Sequence, residues 1–163
     1  MKRSFSVKTS GLTLVEVLIS TAIIVGFLTT LMTVHNAYLN SSFSNLQSVK
    51  ATYLGEEGIE SIKGLRDASW TTNIKNLSNG TPYYLSFVSG AWTTTTTPSL
   101  IDSKFTRVIV FSSVNRDATN DITTTGGTLD LNAREVQVTV SWLDHEATST
   151  RVLDTYITNI FTN

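Results

Sequence analysis

Hydrophobic positions follow three patterns in turn along the chain. From Leu12 to Thr33 runs LTLVEVLISTAIIVGFLTTLMT, apolar at almost every position, with Glu16 as its one ionisable residue. As a helix rising roughly 1.5 Å per residue the run reaches about 33 Å, against about 30 Å for a bilayer's hydrocarbon core. This predicts a membrane-crossing helix over 12–33. No proline interrupts Val34–Arg66, and Leu46, Val49, Tyr53, then Ile59, Ile62 and Leu65 recur at helical steps, predicting that the helix continues as an amphipathic half over 34–66. Ala51, Gly55 and Gly58 share one face there. Glycine inside a helix costs about 1 kcal/mol against alanine, so the pair predicts close approach of another backbone. Lys63 and Arg66 fall in the last turn, where the helix dipole favours cations.

Past Asp67 the period shortens. Tyr83–Val88 and Lys104–Val114 are rich in aromatic and β-branched residues and predict strands. Arg134–Trp142 is the plainest: Val136, Val138, Val140 and Trp142 alternate with Glu135, Gln137, Thr139 and Ser141, so one face is buried and one is wet. Asp144–Ser149 reads as a turn. Arg151–Phe161 fits either period, and its threonine and branched residues favour a strand. Ser78–Pro82, Thr93–Ser99 and Asn115–Thr128 read as loops. The expected fold class is α+β: one long helix packed against an antiparallel sheet built from 67–163.

Charge and composition narrow the chemistry. Net charge is −1 and charged residues make up 15% of the chain, which gives no basic field for nucleic acid. Cysteine is absent, which excludes disulfides, thiolate metal sites and thiol catalysis. His35 and His145 have no partner at metal-ligand spacing. Asn115, Asp117, Asn120 and Asp121 offer oxygen ligands for calcium, but not at EF-hand spacing, and local turn bonding is their usual role. Glu56, Glu57 and Glu60 read as a solvated helix face. With no phosphate loop, nucleophile elbow or isolated carboxylate pair, neither an enzyme nor a cofactor is expected.

The N-terminus carries the most information. Lys2, Arg3 and Lys8 precede any acid, so the flank is expected in the cytoplasm and the remainder outside. An ordinary secretory signal has an apolar core of roughly 7–15 residues closed by a small-residue cleavage site. This run is longer, and His35-Asn36-Ala37-Tyr38 follows it. A plain anchor leaves Glu16 unexplained, since a carboxylate in a membrane helix costs roughly 2.5–3.5 kcal/mol on insertion scales.

Ser10-Gly11-Leu12-Thr13-Leu14-Val15-Glu16-Val17-Leu18 resembles the leader junction of type IV prepilins and pseudopilins. Leu54–Glu60 and Leu65-Arg66-Asp67 further resemble the helix end of pilus-modification-type minor pilins. The resemblance implies that residues 1–11 are a leader cut by a prepilin peptidase between Gly11 and Leu12, and that Leu12 is then N-methylated. It implies a structural subunit held as a single-pass precursor in a bacterial cytoplasmic membrane, then drawn by an assembly platform into a cell-surface or periplasmic filament with other pilin-like subunits. Glu16 is its assembly residue. The first proline is Pro82 and there is no cysteine to close a C-terminal loop, which favours a minor pilin or pseudopilin over a major pilin. The alternative is a single-span membrane-anchored extracytoplasmic binding or adhesion domain.

Overall fold

The computed structural model describes residues 11, 13–144 and 146–161. The chain divides between Phe43 and Ser44 into two compact units. The first element, α1, is a helix over Leu14–Ala68. Its residues 14–43 are exposed throughout. Here the hydroxyls of Thr21, Thr29, Thr30 and Thr33 donate back to carbonyls three or four positions earlier, so these polar groups are satisfied within the helix. This part of α1 is long and apolar enough to cross a membrane.

From residue 44 on the chain is α+β. After α1 come a short helix α2 (Trp70–Asn73), an antiparallel hairpin β1 (Tyr84–Val88) with β2 (Ala91–Thr95), and then β3 (Leu100–Ile101), β4 (Phe105–Arg116), β5 (Ile122–Thr123), β6 (Thr128–Asp144) and β7 (Ala147–Thr158). The main sheet is antiparallel in the order β3-β4-β6-β7, with β5 also paired to β4. A bridge between Tyr83 and Ile109 ties the hairpin to the side of β4 away from β6.

The alternation in β6 does what its pattern requires: Val136, Val138, Val140 and Trp142 are buried, with Phe105, Ile109 and Phe111 of β4 beside them. The helix meets this sheet through Ala51, Gly55, Gly58, Ser61, Ile62 and Leu65, at steps of four, three, three, one and three. Close approach is the reason for the two glycines, but what approaches is side chains and not the backbone expected. A Cβ at Gly58 would lie 3.0 Å from both Arg107 and Val138, and one at Gly55 would lie 2.6 Å from Leu153.

Several expectations need correction. Leu46, Val49 and Tyr53 were expected on the packing face, but they are 64%, 53% and 67% exposed, because the seam follows the small residues on a different face of the helix. Thr93–Thr95 belongs to β2, since Ser89 and Gly90 (φ 53° and 84°) make the two-residue reversal a hairpin needs. The expected loop 115–128 holds β5 and the ends of β4 and β6. Asp144 and Ala147 are already paired, so the turn spans fewer residues than 144–149. The expected strand Arg151–Phe161 is strand as far as Thr158 and stops short of Phe161.

Candidate functional site

The residues singled out at the N-terminus lie at the start of α1. Leu12 and the leader residues 1–10 fall outside the described residues, and so does His145. Gly11 is exposed, and a Cβ there would meet nothing within 4 Å, so packing does not demand glycine at this position. Thr13 caps the helix: its Oγ1 accepts from the Glu16 N–H at 3.3 Å, and its carbonyl accepts from the Val17 N–H at 3.2 Å. Glu16 is therefore the third helical residue after a threonine cap, the Thr-x-x-Glu arrangement of a capping box. Sequence reading had weighed Glu16 for its charge alone and missed this local role, although the spacing was visible. An acid here also meets the positive end of the helix dipole. The carboxylate is exposed within its own chain.

Beyond the apolar segment, α1 presents two faces with different fates. The small-residue face is consumed by the sheet. The other carries Leu46, Val49 and Tyr53 into solvent. Three apolar side chains at helical spacing, outside the hydrophobic core formed among the described residues, make an open contact strip.

Glu57 lies on the exposed face as expected, its side chain 49% exposed, but it also closes an ion pair that the sequence did not show. Arg107 of β4 is 4% exposed, and its guanidinium donates to Glu57 Oε2 at 2.7 Å and to the Leu54 carbonyl at 2.9 Å. The Trp92 ring lies 5.6 Å from that guanidinium. A buried guanidinium without its carboxylate would be costly, so this pair locks β4 to the helix. Glu60 does behave as a surface residue, paired with Lys63 one turn on.

The Asn115–Asp121 loop shows turn bonding. Asp117 accepts from the Thr119 hydroxyl and N–H and from the Asp121 N–H, and those bonds, the Thr119 hydroxyl first, hold its carboxyl below the ordinary range. Nearby, Arg116 donates to Asp130 at 2.6 Å across a polar cleft of about 610 Å³ that also holds Asn120, Asn132 and Asn159. The Arg116 guanidinium, then the Asn132 N–H, depress the Asp130 carboxyl below its usual value. Among the described residues no group of three histidine or carboxylate side chains is placed to hold a metal ion.

Set against protein-family models, curated proteins and solved structures, the chain finds no match.

Proposed function

We propose that this protein is a structural subunit of a type IV pilus or related filament, a minor pilin or pseudopilin. Its leader is removed after Gly11, and it is assembled through α1. The observation that carries the reading is Glu16: the one acid in a membrane-length apolar helix, one helical turn from the amine that cleavage before Leu12 would create. Two further features support it. Among the described residues nothing packs against Gly11, which suits recognition by a peptidase. The Leu46, Val49 and Tyr53 strip gives neighbouring helices an apolar surface beyond the membrane segment.

The test is the N-terminus of membrane-extracted protein. Sequencing or intact mass is expected to place it at Leu12, and Gly11→Phe is expected to leave the precursor uncut. A mature chain starting at Met1, or one starting beyond Met32, refutes the reading.

A second reading, a domain tethered by a plain single span, draws on the capping box. Thr13 and Glu16 stand at capping-box spacing, and a carboxylate that closed the box on its own helix start would need no neighbour. A tethered domain leaves no sedimentable filament fraction.

A further inference from the structure

The end of the main sheet away from Ser44 carries more polar construction than its packing needs. Asp144, the last residue of β6, accepts from the Ser44 hydroxyl, whereas β4 runs from Thr106, opposite Ser141, up to Arg116, opposite Thr128. At that upper end Ser113 faces Arg134 and Val114 faces Asp130, so residues 131–133 have no partner on β4. A bulge of this kind re-aims the side chains it carries. This one is pinned by its own backbone. The Asn132 N–H donates to Asp130 Oδ1 at 2.9 Å, and the Asn132 carbonyl accepts from the Asn159 N–H at 2.8 Å. On the β4–β5 side the Asn120 carbonyl accepts from Arg116 at 2.9 Å, and the Asn120 N–H donates to the Asp117 carbonyl at 3.1 Å.

Three asparagines thus line the 610 Å³ cleft with their backbones committed and their side chains unspent. None of the three side-chain amides makes a hydrogen bond among the described residues. Each offers two N–H donors and one carbonyl acceptor. Asp117 adds a free acceptor, because its three local bonds all fall on Oδ1 and leave Oδ2. The volume lies within the roughly 300–1,000 Å³ of small-molecule sites. We infer that this cleft binds a neutral saccharide, its hydroxyls held by the amides of Asn120, Asn132 and Asn159. The site lies within residues 44–163 and holds for a filament subunit and for a tethered domain alike.

The charges of the cleft select this class of ligand over others. The Thr119 hydroxyl and the Arg116 guanidinium hold the Asp117 and Asp130 carboxyls, respectively, below the ordinary range, so both are ionised at neutral pH. Two carboxylates against one guanidinium oppose an anion. A metal ion is disfavoured too, since Arg116 already occupies Asp130 and no third carboxylate among the described residues completes a binding group. A peptide added as a strand would need an open edge, and Arg116 is paired with Ile122 on one side and Thr128 on the other. A hydroxyl both donates and accepts, and neighbouring hydroxyls of a sugar ring match the two ends of one side-chain amide.

The test uses the full-length chain in lipid nanodiscs, titrated with maltotriose, lactose, mannotriose and diacetylchitobiose and followed by saturation-transfer NMR. Sialyllactose serves as the anionic contrast and trialanine as the peptide contrast. The parent is compared with the Asn132→Ala/Asn159→Ala double variant and with the isosteric Asn132→Asp, none of which loses a backbone bond of the bulge. Circular dichroism checks their fold, and Asn132→Asp carries the comparison if the double variant is unfolded. The parent is expected to give transfer to at least one neutral oligosaccharide, with sialyllactose weaker than lactose. The double variant is expected to bind that oligosaccharide about tenfold or more weakly, the scale of two lost neutral hydrogen bonds. Absence of transfer to all four neutral probes overturns the inference, as does unchanged binding in the folded variants. Trialanine binding above every saccharide overturns it in favour of a peptide site, and sialyllactose binding above every neutral probe overturns it in favour of an anion site.

Discussion

Three of the four glycines of α1 lie beyond the apolar segment, and each has different surroundings. At Gly64 a Cβ would meet nothing within 4 Å. Gly64→Ala is therefore expected to raise stability by about 1 kcal/mol through helix propensity alone. At Gly55 the clash is with the far end of the Leu153 side chain, which is half-buried and can rotate, so Gly55→Ala is expected to fall within about 1 kcal/mol of the parent. At Gly58 the neighbours are Val138, fully buried, and Arg107, held by two hydrogen bonds. Neither can retreat, and Gly58→Ala is expected to cost about 1–3 kcal/mol. Urea midpoints of a soluble fragment from Ser41 onward rank the three, and a Gly58→Ala midpoint at or above that of Gly64→Ala refutes the ordering. The sequence marked Gly55 and Gly58 as packing positions because two glycines in a helix need a reason. It could not separate them from Gly64, since that depends on what β4 and β7 bring to each site. The face of β6 was legible in the same way, from alternation. Val136→Asp is expected to unfold the fragment, because a carboxylate buried without a partner costs several kcal/mol, while Thr139→Asp on the outer face leaves it folded. Circular dichroism of the two variants decides this, and reversed effects would place the core on the other side of the sheet.

Among the elements, alternation failed where the backbone departs from regular pairing. The β4–β6 register jumps between Ser113, opposite Arg134, and Val114, opposite Asp130. The residues looped out by this bulge break the period, so β6 was readable from Arg134 but not from its start at Thr128. β2 was lost because a threonine run has the composition of an exposed loop, and only the Ser89-Gly90 reversal before it distinguishes a hairpin. α2 is a single turn capped by Ser69, whose side chain accepts from the Thr72 N–H, and is too short to show a period. The pairing of Arg107 with Glu57 was invisible for a different reason: it joins residues far apart in sequence, which no local pattern records. Below the bulge, the Arg116–Asp130 pair bridges β4 and β6 and carries a pH dependence of known sign. The Asp130 carboxyl is depressed from its ordinary value of 3.8 when folded. Its contribution is thus present above that value and is lost as the pH falls through the lower, folded one. Asp130→Asn is expected to lower the urea midpoint at neutral pH, with the gap to the parent closing below 3.8. A gap that is constant with pH would show that the ionised pair contributes nothing.

At the scale of the whole molecule, the arrangement of a long apolar helix and an antiparallel sheet followed from periodicity, because each element has to bury its own face. The proposed assembly site did not follow in full. Glu16 has two physical roles available, and the sequence alone promoted one of them. As the third residue of a capping box it serves its own helix start, and glutamine serves that role as well as glutamate does. As the partner of a neighbour's N-terminal amine it needs its charge, because only an ionised carboxylate offsets an ammonium in a low-dielectric interior. Glu16→Gln separates the two. If the charge couples cleavage to assembly, Glu16→Gln keeps its membrane insertion and its Leu12 terminus. Its share in sheared filaments is nevertheless expected to fall about tenfold or more, the scale of a lost charged hydrogen bond of about 1.5–3 kcal/mol. Glu16→Val, which lacks both functions, is expected to insert at least as well, since the insertion penalty of roughly 2.5–3.5 kcal/mol is gone. It is expected to assemble no better than Glu16→Gln. The measurement is the filament fraction against total membrane protein at matched expression. A Glu16→Gln chain that assembles like the parent while Glu16→Val does not would assign Glu16 to its own helix cap, and docking would then rest on apolar contacts such as the Leu46, Val49 and Tyr53 strip.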